Sequence, residues 1–102
     1  MARDIDGLWN IIQSNGFVVP IHVDPIAPDG AFTLEAQQGN GGVSGTGAGN
    51  VTDDFVNFVI NWTNDTKGAY NGSFDEQGFI HGSTFDIRHP GHFAGWHSSK
   101  AF

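Results

Sequence analysis

Apolar and polar residues alternate one by one along much of this chain. Phe17, Val19, Ile21 and Val23 stand against Val18, Pro20, His22 and Asp24; Phe32, Leu34 and Ala36 against Thr33, Glu35 and Gln37; Val56, Phe58, Ile60 and Trp62 against Phe55, Asn57, Val59 and Asn61. A period of two is that of a β-strand with one face buried, and no stretch carries the 3.6-residue period of a helix. Leu8 to Gln13, with Trp9 and Ile11 set against Leu8, Asn10 and Ile12, reads as the first strand. Between such stretches lie turn formers: Ser14-Asn15-Gly16, Pro28-Asp29-Gly30, Gly39-Asn40-Gly41-Gly42, Thr52-Asp53-Asp54, Asn64-Asp65-Thr66, Glu76-Gln77-Gly78 and His89-Pro90-Gly91. Seven turns imply eight strands. Asn-Gly and Asp-Gly accept the positive φ of tight hairpins, so consecutive strands pair antiparallel. The expected fold is all-β, an eight-stranded antiparallel up-and-down barrel in which first and last strands meet and no sheet edge is left open. The interior of such a barrel holds side chains or one small ligand.

Some strands depart from the simple pattern. Pro20 cannot donate to a ladder and marks a bulge or a locally unpaired position. Between Val43 and Val51 one face reads Val, Gly45, Gly47, Gly49, Val, which predicts a barrel corner or room for a large neighbour. In the sixth strand Tyr70, Gly72 and Phe74 oppose Ala69, Asn71 and Ser73. In the seventh, Ile80, Gly82, Thr84 and Asp86 oppose Phe79, His81, Ser83, Phe85 and Ile87. With Phe85 and Ile87 on one side and Ile80 on the other, periodicity leaves two assignments open. Strand eight, placed at Phe93 to Phe102, sets Phe93, Gly95 and His97 against Ala94, Trp96 and Ser98.

At 102 residues the chain makes one domain, residues 1–102. Four basic residues against eleven acidic ones give a net charge of −7, which repels phosphate backbones and anionic membranes. The expectation is therefore neither a nucleic-acid partner nor a membrane partner. With no cysteine, stability comes from packing and strand pairing in any compartment. Residues Met1 to Asp6 lack the apolar run of a signal peptide, so the expectation is a soluble chain, cytoplasmic or the mature form of a secreted one. Fifteen glycines and nine phenylalanines suit a tightly turned sheet.

Short motifs in order along the chain resemble a known group. Gly7-Leu8-Trp9 is similar to the Gly-x-Trp that opens the first strand of avidin-like barrels, within the calycin group that also holds the lipocalins. Trp62-Thr63-Asn64, Tyr70-Asn71-Gly72-Ser73-Phe74 and Ala94-Gly95-Trp96-His97-Ser98-Ser99 resemble parts of the fifth, sixth and last strands of the same barrels. The resemblance implies a biotin-like ligand. It assigns Asn10 and Ser14 to a first-strand polar pair, Trp62, Tyr70 and Phe85 to aromatic walls, and Trp96 to a residue lent by a neighbouring subunit.

The histidines His81, His89, His92 and His97 gather late in the chain with Asp86 among them. His89 and His92 on a turn, joined by His97 or Asp86, have the composition of a zinc site, but strand geometry disperses them, and neither metal nor cofactor is expected. His97 or His81 with Asp86 could act as an acid–base pair in a small isomerase or cyclase, although no nucleophile motif accompanies it. Trp96, Tyr70, Asp86 and His97 could instead stack on a sugar and bond its hydroxyls, as in a lectin. The Asn-x-Ser/Thr triplets at Asn50, Asn61, Asn64 and Asn71 follow from composition, and Asp24, Glu35, Asp53 and Asp54 read as solvated surface. Apolar residues on both faces of strands five and seven exceed what one small barrel encloses, which predicts a homo-oligomer, a dimer or higher. The function expected is non-catalytic binding of a small, partly apolar molecule at Asn10, Ser14, Trp62, Tyr70, Phe85, Asp86, Trp96 and His97; the lectin and the enzyme are the alternatives.

Overall fold

The alternation places one side chain in two on the inside of a closed wall. A computed structural model describes residues 3–37, 44–63 and 66–102, with the backbone alone at Pro90. The turn expected at 39–42, Val43 and the pair Asn64 and Asp65 lie outside the described residues. The strands are β1 (Gly7–Gln13), β2 (Val18–Val23), β3 (Ala31–Gln37), β4 (Ser44–Val51), β5 (Phe55–Trp62), β6 (Lys67–Phe74), β7 (Ile80–Asp86) and β8 (His89–Ser98). Each pairs antiparallel with the next, and β1 meets β8 through Ile11 opposite Ser98, Ile12 opposite His97 and Gln13 opposite Trp96. The expected closed, eight-stranded meander is the fold found. Gly16, at φ 94°, takes the left-handed conformation that the β1–β2 turn demands.

Register settles the inner face of every strand. Trp9 and Ile11, alternate residues from Val19 to Val23, from Phe32 to Ala36 and from Val56 to Ile60 point inward as alternation predicts, and so does Trp96, whose face the sequence leaves open. In β7, Ile80 and Thr84 are buried while His81 and Ser83 are exposed, so the even positions line the interior. Pro20 is opposite Asn10 on β1, but the β2–β3 ladder extends only from Val23 and Leu34 to Ile21 and Ala36. The proline therefore stands just beyond the last β2–β3 pair among the described residues. The inward glycines of β4 make room for larger neighbours: a Cβ at Gly45 would come within 2.8 Å of Ile60 and 2.9 Å of the Trp62 ring, and one at Gly47 within 2.5 Å of the Val59 carbonyl oxygen.

The last hairpin differs from the expectation. Its turn is Ile87-Arg88, and His89-Pro90-Gly91 opens β8, four residues before the expected start at Phe93. Asp86 explains the shift: its carboxylate accepts the Arg88 N–H at 2.9 Å and contacts His89 Nδ1 at 3.3 Å. That local side-chain bond holds the turn at Ile87-Arg88, and proline is tolerated near the start of a strand. A register shift between Phe85 and Asp86 absorbs the difference.

Aromatic rings fill the middle of the barrel. Phe58 stacks on Tyr70 at 4.9 Å between centroids, and Phe32 and Trp96 meet Phe58 edge-on at 6.1 and 5.8 Å. Such pairs add about 0.5–1.5 kcal/mol each beyond their burial. The end that carries the β2–β3, β4–β5 and β6–β7 turns is shut. Trp9 donates from Nε1 to the Ile5 carbonyl at 3.0 Å and meets Phe102 edge-on at 5.1 Å. The Arg3 guanidinium lies 4.3 Å over the Phe74 ring and donates to the Phe102 carbonyl at 3.0 Å. Residues 99–102, expected as the end of strand eight, leave the sheet to form this closure, and the Phe102 N–H donates to the Gly78 carbonyl at 2.9 Å.

Candidate ligand-binding site

At the opposite end, where the β1–β2 and β7–β8 turns lie, none of the described residues folds across the barrel. Above the aromatic plug the inner faces and the rim line an open-mouthed cavity of about 350 Å³. Small-molecule pockets range over roughly 300–1,000 Å³, so the space suits a small ligand. Its floor is Tyr70, 3% exposed, with the ring held against Phe58. Gln13 donates from Nε2 to the Tyr70 hydroxyl at 3.0 Å, and Thr84 hydrogen-bonds to the same hydroxyl. Trp62, Val19 and Phe17 provide apolar wall, and Gly68 leaves the space a side chain would take: a Cβ there would stand 3.1 Å from the Tyr70 ring. Asn15, Lys67, Asp86 and His92 put polar groups at the rim.

Two ionisable groups of the site are shifted. Burial pushes the Tyr70 phenol up, against the opposing hydrogen bonds of Thr84 and Gln13. The hydroxyl therefore stays protonated at neutral pH, a donor as well as an acceptor. The Arg88 N–H holds the Asp86 carboxyl below the usual carboxylate range; partial desolvation opposes it, and the His89 hydrogen bond and the charges of His89 and His92 reinforce it. The rim thus keeps a carboxylate that is already satisfied by its own turn.

Of the residues singled out in the sequence, the fold brings Trp62, Tyr70, Phe85 and Asp86 together at this mouth. Phe85 reaches it from the outward register of β7. Asn10 is turned away: its backbone pairs with Ser99, whose Oγ accepts the Asn10 N–H at 2.9 Å. Ser14 accepts the Gly95 N–H at 3.0 Å and fastens the β1–β8 closure. Trp96 lies inside its own barrel, 3% exposed, with Nε1 donating to the Ser83 carbonyl at 3.0 Å and its ring edge-on to Tyr70 at 5.9 Å. It backs the floor of this pocket from within the same chain and is not available to be lent to another subunit.

His97 points outward and stacks on His81 at 6.1 Å. His81 in turn contacts Asp75 at 2.7 Å, so the His97 or His81 pairing with Asp86 does not form; the imidazole at Asp86 is that of His89. His89 and His92 stack at 5.5 Å, and among the described residues no three His, Cys, Asp or Glu side chains converge as a metal ion requires. Gln13, Thr84, Gly68, Phe17 and Asn15 are pocket residues that the sequence pattern does not single out. Gln13 had a usable signal, a polar side chain on a register that is otherwise apolar; Thr84 shares its register with Asp86 and had a weaker one. Gly68 and Asn15 had none.

No protein-family model and no curated protein matches the chain. Solved structures do. A redesigned β-barrel, mFAP1, bound to DFHBI is 16% identical, with a TM-score of 0.67 and 92% of each chain covered. A second redesigned β-barrel, b11L5F_LGL, is also 16% identical, with a TM-score of 0.69 over 92% of this chain and 88% of that one. EF1p2_mFAP2b bound to DFHBI is 14% identical, with a TM-score of 0.61 over 92% and 90%. At these identities the likeness shows a shared fold: this chain is an eight-stranded β-barrel similar in architecture to redesigned barrels.

Proposed function

We propose that the chain binds a small, flat, partly apolar molecule at the open end of its barrel and does not transform it. The observation that carries this reading is a cavity of about 350 Å³ whose floor is a buried, hydrogen-bonded Tyr70 and whose wall includes Trp62. A ring fits between Trp62, Phe17 and Val19, while Gln13, Tyr70 and Thr84 offer hydrogen bonds to one polar edge. Two similar barrels are bound to DFHBI, which lends support to a small-molecule role for this architecture. A biotin-like ligand, as the avidin resemblance implies, would use the same floor. The lectin reading loses support because Trp96 and Tyr70 pack in the core and present no free ring face to a sugar.

The test is a thermal-shift and fluorescence titration with DFHBI, biotin and a panel of flat aromatic compounds. A binder at roughly a hundredfold excess over its dissociation constant adds about 2.7 kcal/mol of stability. Gly68→Leu, which places a side chain in the cavity, should abolish the shift. Absence of a shift with every compound, or an undiminished shift in Gly68→Leu, would refute the site.

The same reading assigns the outer wall to contact with a second copy. Ala48, Val59, Ala69, Phe85 and Phe93 stand opposite one another across β4 to β8, and Phe93 is 77% exposed. Sedimentation velocity should find a dimer that Phe93→Glu dissociates; a wild-type chain that remains monomeric at high concentration would refute this assignment.

A further inference from the structure

Asn15 and Gly16 form an Asn-Gly pair in the open turn between β1 and β2, and Asn15 borders the pocket mouth. In such a pair the backbone nitrogen of the glycine can attack the asparagine side-chain carbonyl carbon. The N–Cγ bond forms, the Cγ–Nδ2 bond breaks, and ammonia departs with the proton of the glycine N–H. Water then opens the five-membered imide at one of its two carbonyls and leaves aspartate or isoaspartate, with one new negative charge.

We infer that Asn15 is a site of such spontaneous conversion, which the fold favours over Asn71 and which adds a carboxylate to the rim of the pocket. The contrast with Asn71-Gly72 carries the argument. Asn71 lies within β6 with Asn57 and Ser83 opposite on either side, and Gly72 faces Val56 and Gly82. A Cβ at Gly72 would already stand 2.7 Å from Ile80 and 3.0 Å from the Trp96 ring. Backbone held this tightly on both flanks cannot swing its nitrogen onto a neighbouring side chain. Gly16, by contrast, lies in an exposed turn at φ 94°, and a Cβ added there would meet nothing within 4 Å. The Asn15 Oδ1 already accepts the Phe17 N–H at 3.3 Å, which draws electrons from the carbon to be attacked. One bond resists, the Gly16 N–H to the Gln13 carbonyl at 3.1 Å, and the rate follows its opening.

The consequence rests on the proposed binding role. Asp86 already contributes a carboxylate to the mouth, and Lys67 a cation. A second carboxylate at position 15 weakens binding of an anionic ligand and strengthens that of a cationic one. The pocket of an aged molecule therefore has a different charge preference from that of a fresh one.

The experiment incubates the folded protein in mildly alkaline buffer at physiological temperature and follows each Asn-Gly pair by chymotryptic peptide mapping, with a parallel sample in urea. The expected result is conversion at Asn15 several-fold faster than at Asn71 when folded, with the difference erased in urea. Equal rates in the folded protein, or an Asn15 that stays intact, would overturn the inference. Binding of the anionic dye anilinonaphthalene sulfonate and of the cationic dye thioflavin T is then compared for fresh protein, aged protein, Asn15→Asp and Asn15→Gln. The anionic dye should weaken several-fold in aged protein and in Asn15→Asp but not in aged Asn15→Gln; equal affinity throughout would overturn the consequence for the pocket. A fresh protein that binds neither dye would count against the binding role, while the peptide map would still decide the modification.

Discussion

Tyr70 links the core of the barrel to its mouth. Its ring belongs to the aromatic plug and its hydroxyl to the cavity, where Gln13 and Thr84 hold it. Tyr70→Phe keeps the ring and removes the hydroxyl, so urea denaturation should find a loss of about 0.5–1.5 kcal/mol, the usual net value of such a bond. A loss of several kcal/mol would mean that the plug itself had moved. The chain contains a single tyrosine, so phenolate absorbance reports this group alone. Because burial raises the folded pKa, the unfolded state holds fewer protons above the ordinary tyrosine range, and stability falls as pH rises there. Tyr70 should ionise above the range of free tyrosine and as the protein unfolds; ionisation at the free value in a folded protein would contradict its burial. Asp86 runs the other way. Its folded pKa is depressed, so its stabilising effect is present above the ordinary carboxylate range and is lost as pH falls through the folded value. Asp86→Asn should lower the melting temperature at neutral pH, and the gap from wild type should close on acidification.

At the scale of strands, the positions that oppose side chains decide what fits. The β4 glycines are required by β5, whose carbonyls and side chains lean over them. Gly47→Ala forces a Cβ against the Val59 carbonyl and should destabilise by about 1–3 kcal/mol in chemical denaturation, as overpacking does; an unchanged midpoint would show that the two strands can separate freely. Ser98, fully buried, accepts the Ile80 N–H at 2.9 Å and donates to the Lys100 carbonyl at 2.8 Å. These contacts also show how far the sequence could be read. Alternation at Val19 to Val23, Phe32 to Ala36 and Val56 to Trp62 fixed which side chains face inward, because a one-residue slip would expose every one of them. It does not say how deep along the axis an inward residue lies. For that reason Tyr70, expected as a wall, and Trp96, expected from a neighbouring subunit, are not separated by depth, although one is the floor and the other is packed behind it. The start of β8 was illegible because Asp86 sets the turn through its own side chain, which outweighs the Pro-Gly signal that follows. The roles of Asn10 and His97 on strands and of Ser14 in the first turn depend on partners far away in sequence, Ser99, His81 and Gly95.

For the whole molecule, the two ends of one barrel are built differently. Residues 3–6 and 99–102 fold over one end and seal it with Ile5, Trp9 and Phe102, while at the other no described residue covers the inner faces above Tyr70. The meander makes that asymmetry possible, since closure of the sheet leaves only the ends for a ligand to enter. The most direct test is amide-resolved NMR of the labelled protein, titrated with whichever compound of the panel raises its melting temperature. Shifts on binding should concentrate at Gln13, Phe17, Trp62, Gly68 and Thr84 and leave the Trp9 and Phe102 signals in place. Shifts centred on Trp9 and Phe102, or spread over the outer wall at Asn50 and Asn57, would contradict a site above Tyr70.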